Sequence, residues 1–436
     1  MALRERRLRM RPKDGLSVVL LVVSASFPGT SPAGDTVSAQ QARTASHLEA
    51  RLESLVNGGA GVEMAGIVVV RTDALDDEQS VAVGCARFAV DGRSCNRRLA
   101  AEQLLRVASV SKLFTAVAIH RLIDAHRLTL DADASGLLGH PLRNQGFPQQ
   151  QITIGQLLSH TSSLRDAERY WIPAPGTLRE LLADPGRFDR RAPGSRFAYA
   201  NINYSVLAAV VERITQSRFD QFVADDLLRP ANIIAGFNWQ GLHALPVDLT
   251  ATLYRRRAID GEQWEPDGPW VAQVDALEGS PVPPLVAADY IPGSNPTLFS
   301  PHGGLRISPR DLARFLRRVF LPRADEVAVL TPHSRLALCR PVVDTRGGRM
   351  QGETQRGLFG QFGYGAQPKR LDGREWCGHF AEAYGLKGAA LVDRRRGEVL
   401  VYFITGYADE PPLAGPRYAG LDAVEAAVLE AVLAGQ

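Results

Sequence analysis

The chain has 436 residues, 45% of them hydrophobic and 22% charged, and a formal net charge of +3. That is enough apolar material to bury the core of one large domain or of two average ones. Residues 1–33 hold six Lys/Arg and two Asp/Glu, so the remainder carries +3 − 4 = −1; with "RRR" at 255–257 and 394–396 read as solvated surface, nothing resembles a nucleic-acid footprint.

The first element is a leader. "RERRLRMRPK" is a basic stretch, "LSVVLLVVSASF" an apolar one, and small residues follow at "SPAG" and "VSAQ". This is the order of a secretory signal, with cleavage expected after Ala33 or Ala39. About twelve apolar residues are too few to span a bilayer, so the expectation is a periplasmic or secreted protein with no stable membrane span in its mature form. The alternative is an uncleaved anchor on a structural protein. Cys85, Cys95, Cys339 and Cys377 show no C-x-x-C spacing, so a zinc or redox motif is not expected, and disulfides Cys85–Cys95 and Cys339–Cys377 suit an oxidising destination.

Helical spacing in "ARTASHLEARLESLVNGG" precedes the β-branched runs "MAGIVVVRT" and "SVAVGCARFAV". From Ser109 to about Phe320 the patterns turn helical, with "SVSKLFTAVAIHRLID", "TIGQLLSH", "NYSVLAAVVERITQ", "FDQFVADDLL" and "SPRDLARFLRRVF". In the last of these Ser308 reads as an N-cap ahead of Pro309. Residues 235–300 are Pro-rich and irregular and are expected to form long loops over the site. "GLKGAALVD", the turn "RRRG" and "EVLVYFITG" then read as a hairpin, and "LDAVEAAVLEAVLAG" as a closing helix. The expected fold is α+β: an antiparallel sheet built from the N- and C-terminal segments, flanked by helices, with a large helical region inserted. The expected divisions are a signal peptide and linker over 1–39, one domain over 40–415, and a C-terminal helix over 416–436 packing on the sheet.

Three stretches carry possible chemistry. In "SVSK" a helix would set Ser109 and Lys112 on one face, and burial of the lysine would lower its pKa until it can take a proton from the serine. The plain alternative is a capping serine with a snorkelling lysine. In "PGSRFAYANINYSVLAAVVER" a turn presents Tyr199, which can relay a proton, and Asn201, whose amide can reach a substrate carbonyl; the alternatives are a packed aromatic and an N-cap. In "WCGHFAEAYGLKGAALV", Gly378 and Ala381 mark close backbone approach at a strand edge, where an N–H could help bind an oxyanion, while His379 alone reads as a core histidine. There is no H-E-x-x-H and no G-x-S-x-G, so neither a metal cofactor nor an α/β-hydrolase elbow is expected.

Together "SVSK", "YAN" and "GHFA", with "LTLDADASGLL", "ITIGQLLSHTSSL" and "FSPHGGLRISPRDLARFL", resemble the serine beta-lactamase and penicillin-binding-protein superfamily over about 64–410, nearest its class C branch. The resemblance implies that Ser109 is the acylated nucleophile, Lys112 its proton partner and Tyr199 a further acid/base. It also implies that Asn201 positions the substrate amide or the lysine, that His379 fills the basic position of the third motif, and that the N–H groups of Ser109 and Glu382 form the oxyanion hole. Three residues depart from the pattern. Phe380 stands where a hydroxyl helps hold a substrate carboxylate, Ala381 stands where glycine is usual, and so does Ser163. The function implied is a serine hydrolase acting through an acyl-enzyme on a small-molecule or peptide substrate, an ester or small amide ahead of a beta-lactam. The rival is a catalytically silent binding protein on the same scaffold.

Overall fold

Alternation of side chains decides how the first strand is used. In Gly66–Thr72 (β1), Val68 and Val70 are fully buried in one apolar cluster, and Ile67 and Val69 in another on the opposite face. A strand buried on both faces belongs in the middle of a covered sheet. The computed structural model describes residues 45–75, 77–239, 242, 245, 247–257, 264–277, 289–346, 350–407 and 412–433; the leader and its cleavage positions lie outside them. Among the described residues, no helix is long and apolar enough to cross a membrane.

The sheet has seven antiparallel strands. Glu78–Phe88 (β2) and Cys95–Arg98 (β3) follow β1 in sequence, and Gln367–Leu371 (β4), Arg374–Ala383 (β5), Leu386–Asp393 (β6) and Glu398–Thr405 (β7) come from the end of the chain. Their order is β4-β5-β6-β7-β1-β2-β3, so the two termini meet where β1 pairs with β7, from Gly66↔Thr405 to Thr72↔Val399. The sheet assembled from both ends, with a helical insertion, is the fold expected from sequence.

One face is covered by a helix over 45–56 (α1) and by Ala423–Leu433 (α6), with Leu52, Val428 and Leu429 set against Leu400, Tyr402 and Ile404. Pro309–Phe320 (α4) covers the other face and places Leu312, Phe315 and Val319 beside Val68 and Phe403. Ser308 caps α4 by accepting from the Asp311 N–H at 3.0 Å. Ser111–Asp124 (α2) and Ile202–Thr215 (α3) pack on each other within this second layer. Nearly every position of α2 from Ser111 to Leu122 is buried, the polar Ser111, Lys112, Thr115 and His120 included.

Both disulfides form as read from the sequence. Cys85–Cys95 joins β2 to β3, and Cys339–Cys377 ties the end of Pro332–Cys339 (α5) to β5. The expectation for 235–300 falls in part on 258–263 and 278–288, which lie outside the described residues, and needs correction for the rest. Among its described residues, the hairpin Leu253–Arg256 and Trp270–Val274 packs on Cys85 and Phe88. Asp275 is bound instead by Arg306 and by the Trp239 indole. None of them lines the cavity described below, whose walls come from 355–359 and 413–425. Apolar anchors such as Trp270 and Trp239 fix these loops elsewhere.

Candidate active site

Ser109 does not lie within the α-helix that the sequence pattern suggests. It occupies the 3₁₀ turn Ala108–Val110, which runs directly into α2, and Ala108 before it has φ +43°. A non-glycine residue held in that region is strained, and the turn tips Ser109 out to a half-exposed position while Lys112 stays inside. The three-residue spacing still brings them together: Lys112 Nζ lies 3.1 Å from Ser109 Oγ.

Lys112 is fully buried, and desolvation lowers its pKa to about 7 despite the opposing pull of Asp166. Its amine has two further contacts, Asn201 Oδ1 at 2.7 Å and the His302 carbonyl at 3.0 Å. A neutral amine has two N–H bonds and one lone pair. When both hydrogens go to these oxygens, the lone pair faces Ser109 Oγ, the arrangement a base needs.

The His302 carbonyl is held there by α2 itself. Thr115 Oγ1 donates to the Pro301 carbonyl at 2.7 Å, and the Leu305 N–H donates to Ser111 Oγ at 3.0 Å. Three polar residues of one buried helix thus stitch the segment 301–305 to the helix that follows Ser109. The motif "PHGG" appears in the sequence, but its contribution is a backbone carbonyl that no side-chain pattern announces.

Tyr199 reaches the site between Arg196–Phe197 and α3, near enough to Ser109 that the serine opposes the rise of the phenol's pKa. Its ring is stacked on Phe359 at 4.7 Å and on His160 at 4.3 Å, and the Lys112 amine sits 4.8 Å from the ring centre. Burial pushes the phenol above its ordinary value, so it stays protonated and acts as a donor. Asn201 occupies the N-cap position of α3 but caps nothing with its own side chain. Asp166 takes that part, accepting the Ile202 N–H at 2.9 Å and Asn201 Nδ2 at 2.8 Å. Asp166 is the site residue that sequence reading missed. It lies two residues beyond "HTSSL", and no sequence signal marked it, because Asn201 itself reads as an adequate N-cap.

His379 is brought close but is not cationic. It is buried on β5, its Nδ1 lies 2.6 Å from the Phe380 carbonyl, and desolvation plus the Lys112 charge lower its pKa to about 3. The basic position of the third motif is therefore filled by a neutral ring. Gly378 is required just before it, because a Cβ would fall 1.9 Å from the Ala390 carbonyl across the β5–β6 ladder. The β4–β5 pairing ends at Gly378, so His379–Ala383 are paired only with β6, and the Ser109 turn packs beside that open edge. Ala381 and Glu382 line the same cavity as Ser109. Phe380 turns its ring into the apolar cluster beneath α6.

That cavity measures about 650 Å³. Ser109, Tyr199, Asn201 and Asp166 line it, as do Lys387, Asp422 and Glu425. Among the described residues, no group of three or more His, Cys, Asp or Glu is arranged to hold a metal.

A family model described as Beta-lactamase matches residues 75–425. The chain belongs to the Beta-lactamase family. Among curated proteins this family member is 29% identical over 131 residues to Protein flp of Staphylococcus aureus (strain N315), covering 29% of this chain and 26% of that protein. It is 28% identical over 149 residues to Penicillin-binding protein 4* of Bacillus subtilis (strain 168), covering 31% of each. The chain thus matches only about a quarter to a third of the length of these curated relatives. Among solved structures it resembles the D-amino acid amidase of Ochrobactrum anthropi SV3 in complex with D-phenylalanine, with TM-score 0.65 and 17% identity over 90% of this chain and 100% of that one. It also resembles the octameric penicillin-binding protein homologue of Pyrococcus abyssi, with TM-score 0.60 and 18% identity over 93% and 78%. These likenesses establish the beta-lactamase and transpeptidase type of fold.

Proposed function

We propose that this Beta-lactamase-family chain is an exported serine hydrolase that forms an acyl-enzyme on Ser109 and cleaves a small amide or ester carrying an amine. The observation that carries the reading is the buried Lys112 amine at 3.1 Å from Ser109 Oγ, with two other oxygens in reach to accept the two hydrogens of its neutral form. Ser109 Oγ attacks the carbonyl as its proton passes to Lys112, and the Ser109 and Glu382 N–H groups receive the oxyanion. The Tyr199 hydroxyl donates a proton to the departing nitrogen or oxygen and is reprotonated from Lys112. Water then attacks the acyl-enzyme by the same steps reversed. Lys112, lowered to near 7, is the base; Tyr199, raised, is the acid.

Two features support an amine-bearing substrate. Asp166, Glu382 and Asp422 line the cavity against the cations Arg356 and Lys387, with Glu425 beside them raised by burial to about 8, and Lys387 is already bound to Asp422 at 2.6 Å. The D-amino acid amidase fold neighbour holds D-phenylalanine. The neutral His379 and the inward-turned Phe380 offer no clamp for a carboxylate. Export is supported by the leader pattern and by both disulfides.

The test is incubation with a fluorophosphonate, followed by mass spectrometry and by turnover of D-phenylalanine amide, p-nitrophenyl acetate, nitrocefin and a D-alanyl-D-alanine peptide. The expected results are one adduct on Ser109, absent in Ser109→Ala, and faster turnover of the amide or the ester than of nitrocefin. Equal hydrolysis by wild type and Ser109→Ala overturns the enzyme reading in favour of a binding protein.

A further inference from the structure

We propose that Asp166 is a positioning residue for the nucleophile, acting through Asn201 to fix the direction in which the Lys112 amine presents its lone pair. The proposal rests on the acyl-enzyme reading above and adds to it a residue outside the three recognised motifs.

A side-chain amide has an acceptor end and a donor end of nearly the same shape, and what lies against each end decides which way it points. At Asn201 the donor end faces Asp166 Oδ2 at 2.8 Å and the acceptor end faces Lys112 Nζ at 2.7 Å. An ionised carboxylate accepts only, so reversing the amide would set oxygen against oxygen at Asp166. It would also aim an N–H at Lys112, whose lone pair would then accept from Asn201 and turn away from Ser109. Asp166 forbids that reversal. Its own orientation is fixed in turn, because its other oxygen accepts the Ile202 N–H at 2.9 Å and caps α3. The loop carrying it is pinned by the buried Arg187, which donates to the carbonyls of Asp166 at 3.0 Å and Arg169 at 2.7 Å. The result is an ordered series: Asp166 to Asn201 to Lys112 to Ser109.

The carboxylate also supports the charged form of Lys112 electrostatically. The other titratable groups that face this amine are the Tyr199 and Tyr204 rings and His160, His302 and His379. Burial holds all three histidines below their usual range and both phenols above theirs. Glu425, which lines the same cavity, is raised by burial to about 8, so a rate limb between pH 6 and 8 that persists in Glu425→Gln reports Lys112.

The test uses Asp166→Asn in the full chain. An amide at 166 has one oxygen for two donors, so Asn201 is released while the shape is kept. The rate of Ser109 labelling by the fluorophosphonate is expected to fall about 10- to 100-fold, with kcat for D-phenylalanine amide falling alike and KM changing little. Its acid limb is expected to move down by roughly one pH unit, since a negative neighbour of the amine is gone. Asp166→Asn added to Asn201→Ala is expected to cost nothing further. Labelling that still reaches one adduct per chain shows that the variant is folded. A labelling rate within about twofold of wild type at pH 7 overturns the proposal, as does a loss with an unmoved limb that adds in full to that of Asn201→Ala. If wild type itself takes no adduct on Ser109, it is the underlying enzyme reading that fails.

Discussion

Replacing Lys112 with methionine separates what the amine does for catalysis from what it does to stability. In the folded chain the amine titrates near 7, whereas in an unfolded chain a lysine titrates near 10.4. Between those values the unfolded state holds one proton more than the folded state, so wild-type stability rises with pH at about 1.4 kcal/mol per unit. From pH 7 to 9 the gain is about 2–3 kcal/mol, and below 7 it is absent because both states are protonated. Lys112→Met lacks this dependence, so the stability difference between the two proteins in urea should shift toward wild type by that amount across the interval. The rate of Ser109 labelling in wild type should climb about tenfold per unit up to pH 7 and level off above 8, and in Lys112→Met it should fall by about 10²–10⁴. A stability difference unchanged from pH 7 to 9 would refute the claim that a desolvated, largely neutral amine occupies this site. So would labelling that is flat from pH 5.5 to 8.

Tyr199→Phe keeps the ring between His160 and Phe359 and removes only the hydroxyl. Turnover should fall by about 10²–10⁴ while the melting midpoint stays within about 2 °C, as steady-state kinetics and calorimetry will report. Replacing both Cys339 and Cys377 with alanine opens a link across 38 residues and should lower stability by about 3–4 kcal/mol in urea titration. Phe380→Ser, at a side chain only 5% exposed, should cost about 3–5 kcal/mol by the same titration, because the ring fills the cluster under α6.

The sheet was legible because β1 and β7 are rich in β-branched residues and β6, small and apolar, runs into the turn "RRRG" before β7, and α4 because Ser308 and Pro309 announce its start. Ser109, Lys112, Tyr199 and Asn201 could be picked out because their chemistry lies in side chains and their spacing within each motif is short. The rest depends on paths through space. The His302 carbonyl is a backbone group, and Asp166 acts on a helix that begins 36 residues later, by way of Ile202. Part of the cavity lining comes from Asp422 and Glu425, which pattern alone marks only as polar positions in and before an apolar helix. His379 reads as a base from its motif, but its protonation is set by burial that no single residue reveals.

Desolvation lowers the Lys112 proton affinity, and on the acyl-enzyme reading a base with too little affinity cannot hold the serine proton. Asp166 counters this by adding one negative charge near the amine, and it does so without bonding to it directly. A direct carboxylate partner would lock the amine in its charged form, as it does for Lys387, whose contacts with Asp422 and Glu425 raise its pKa. Lys112 and Lys387, one wholly and one partly buried, thus have opposite settings. Lys387, bonded to a carboxylate, is held as a permanent cation; Lys112, separated from its carboxylate by the Asn201 amide, is left able to gain and lose a proton near neutrality. An amide inserted between base and carboxylate is what converts a structural ion pair into a titrating one.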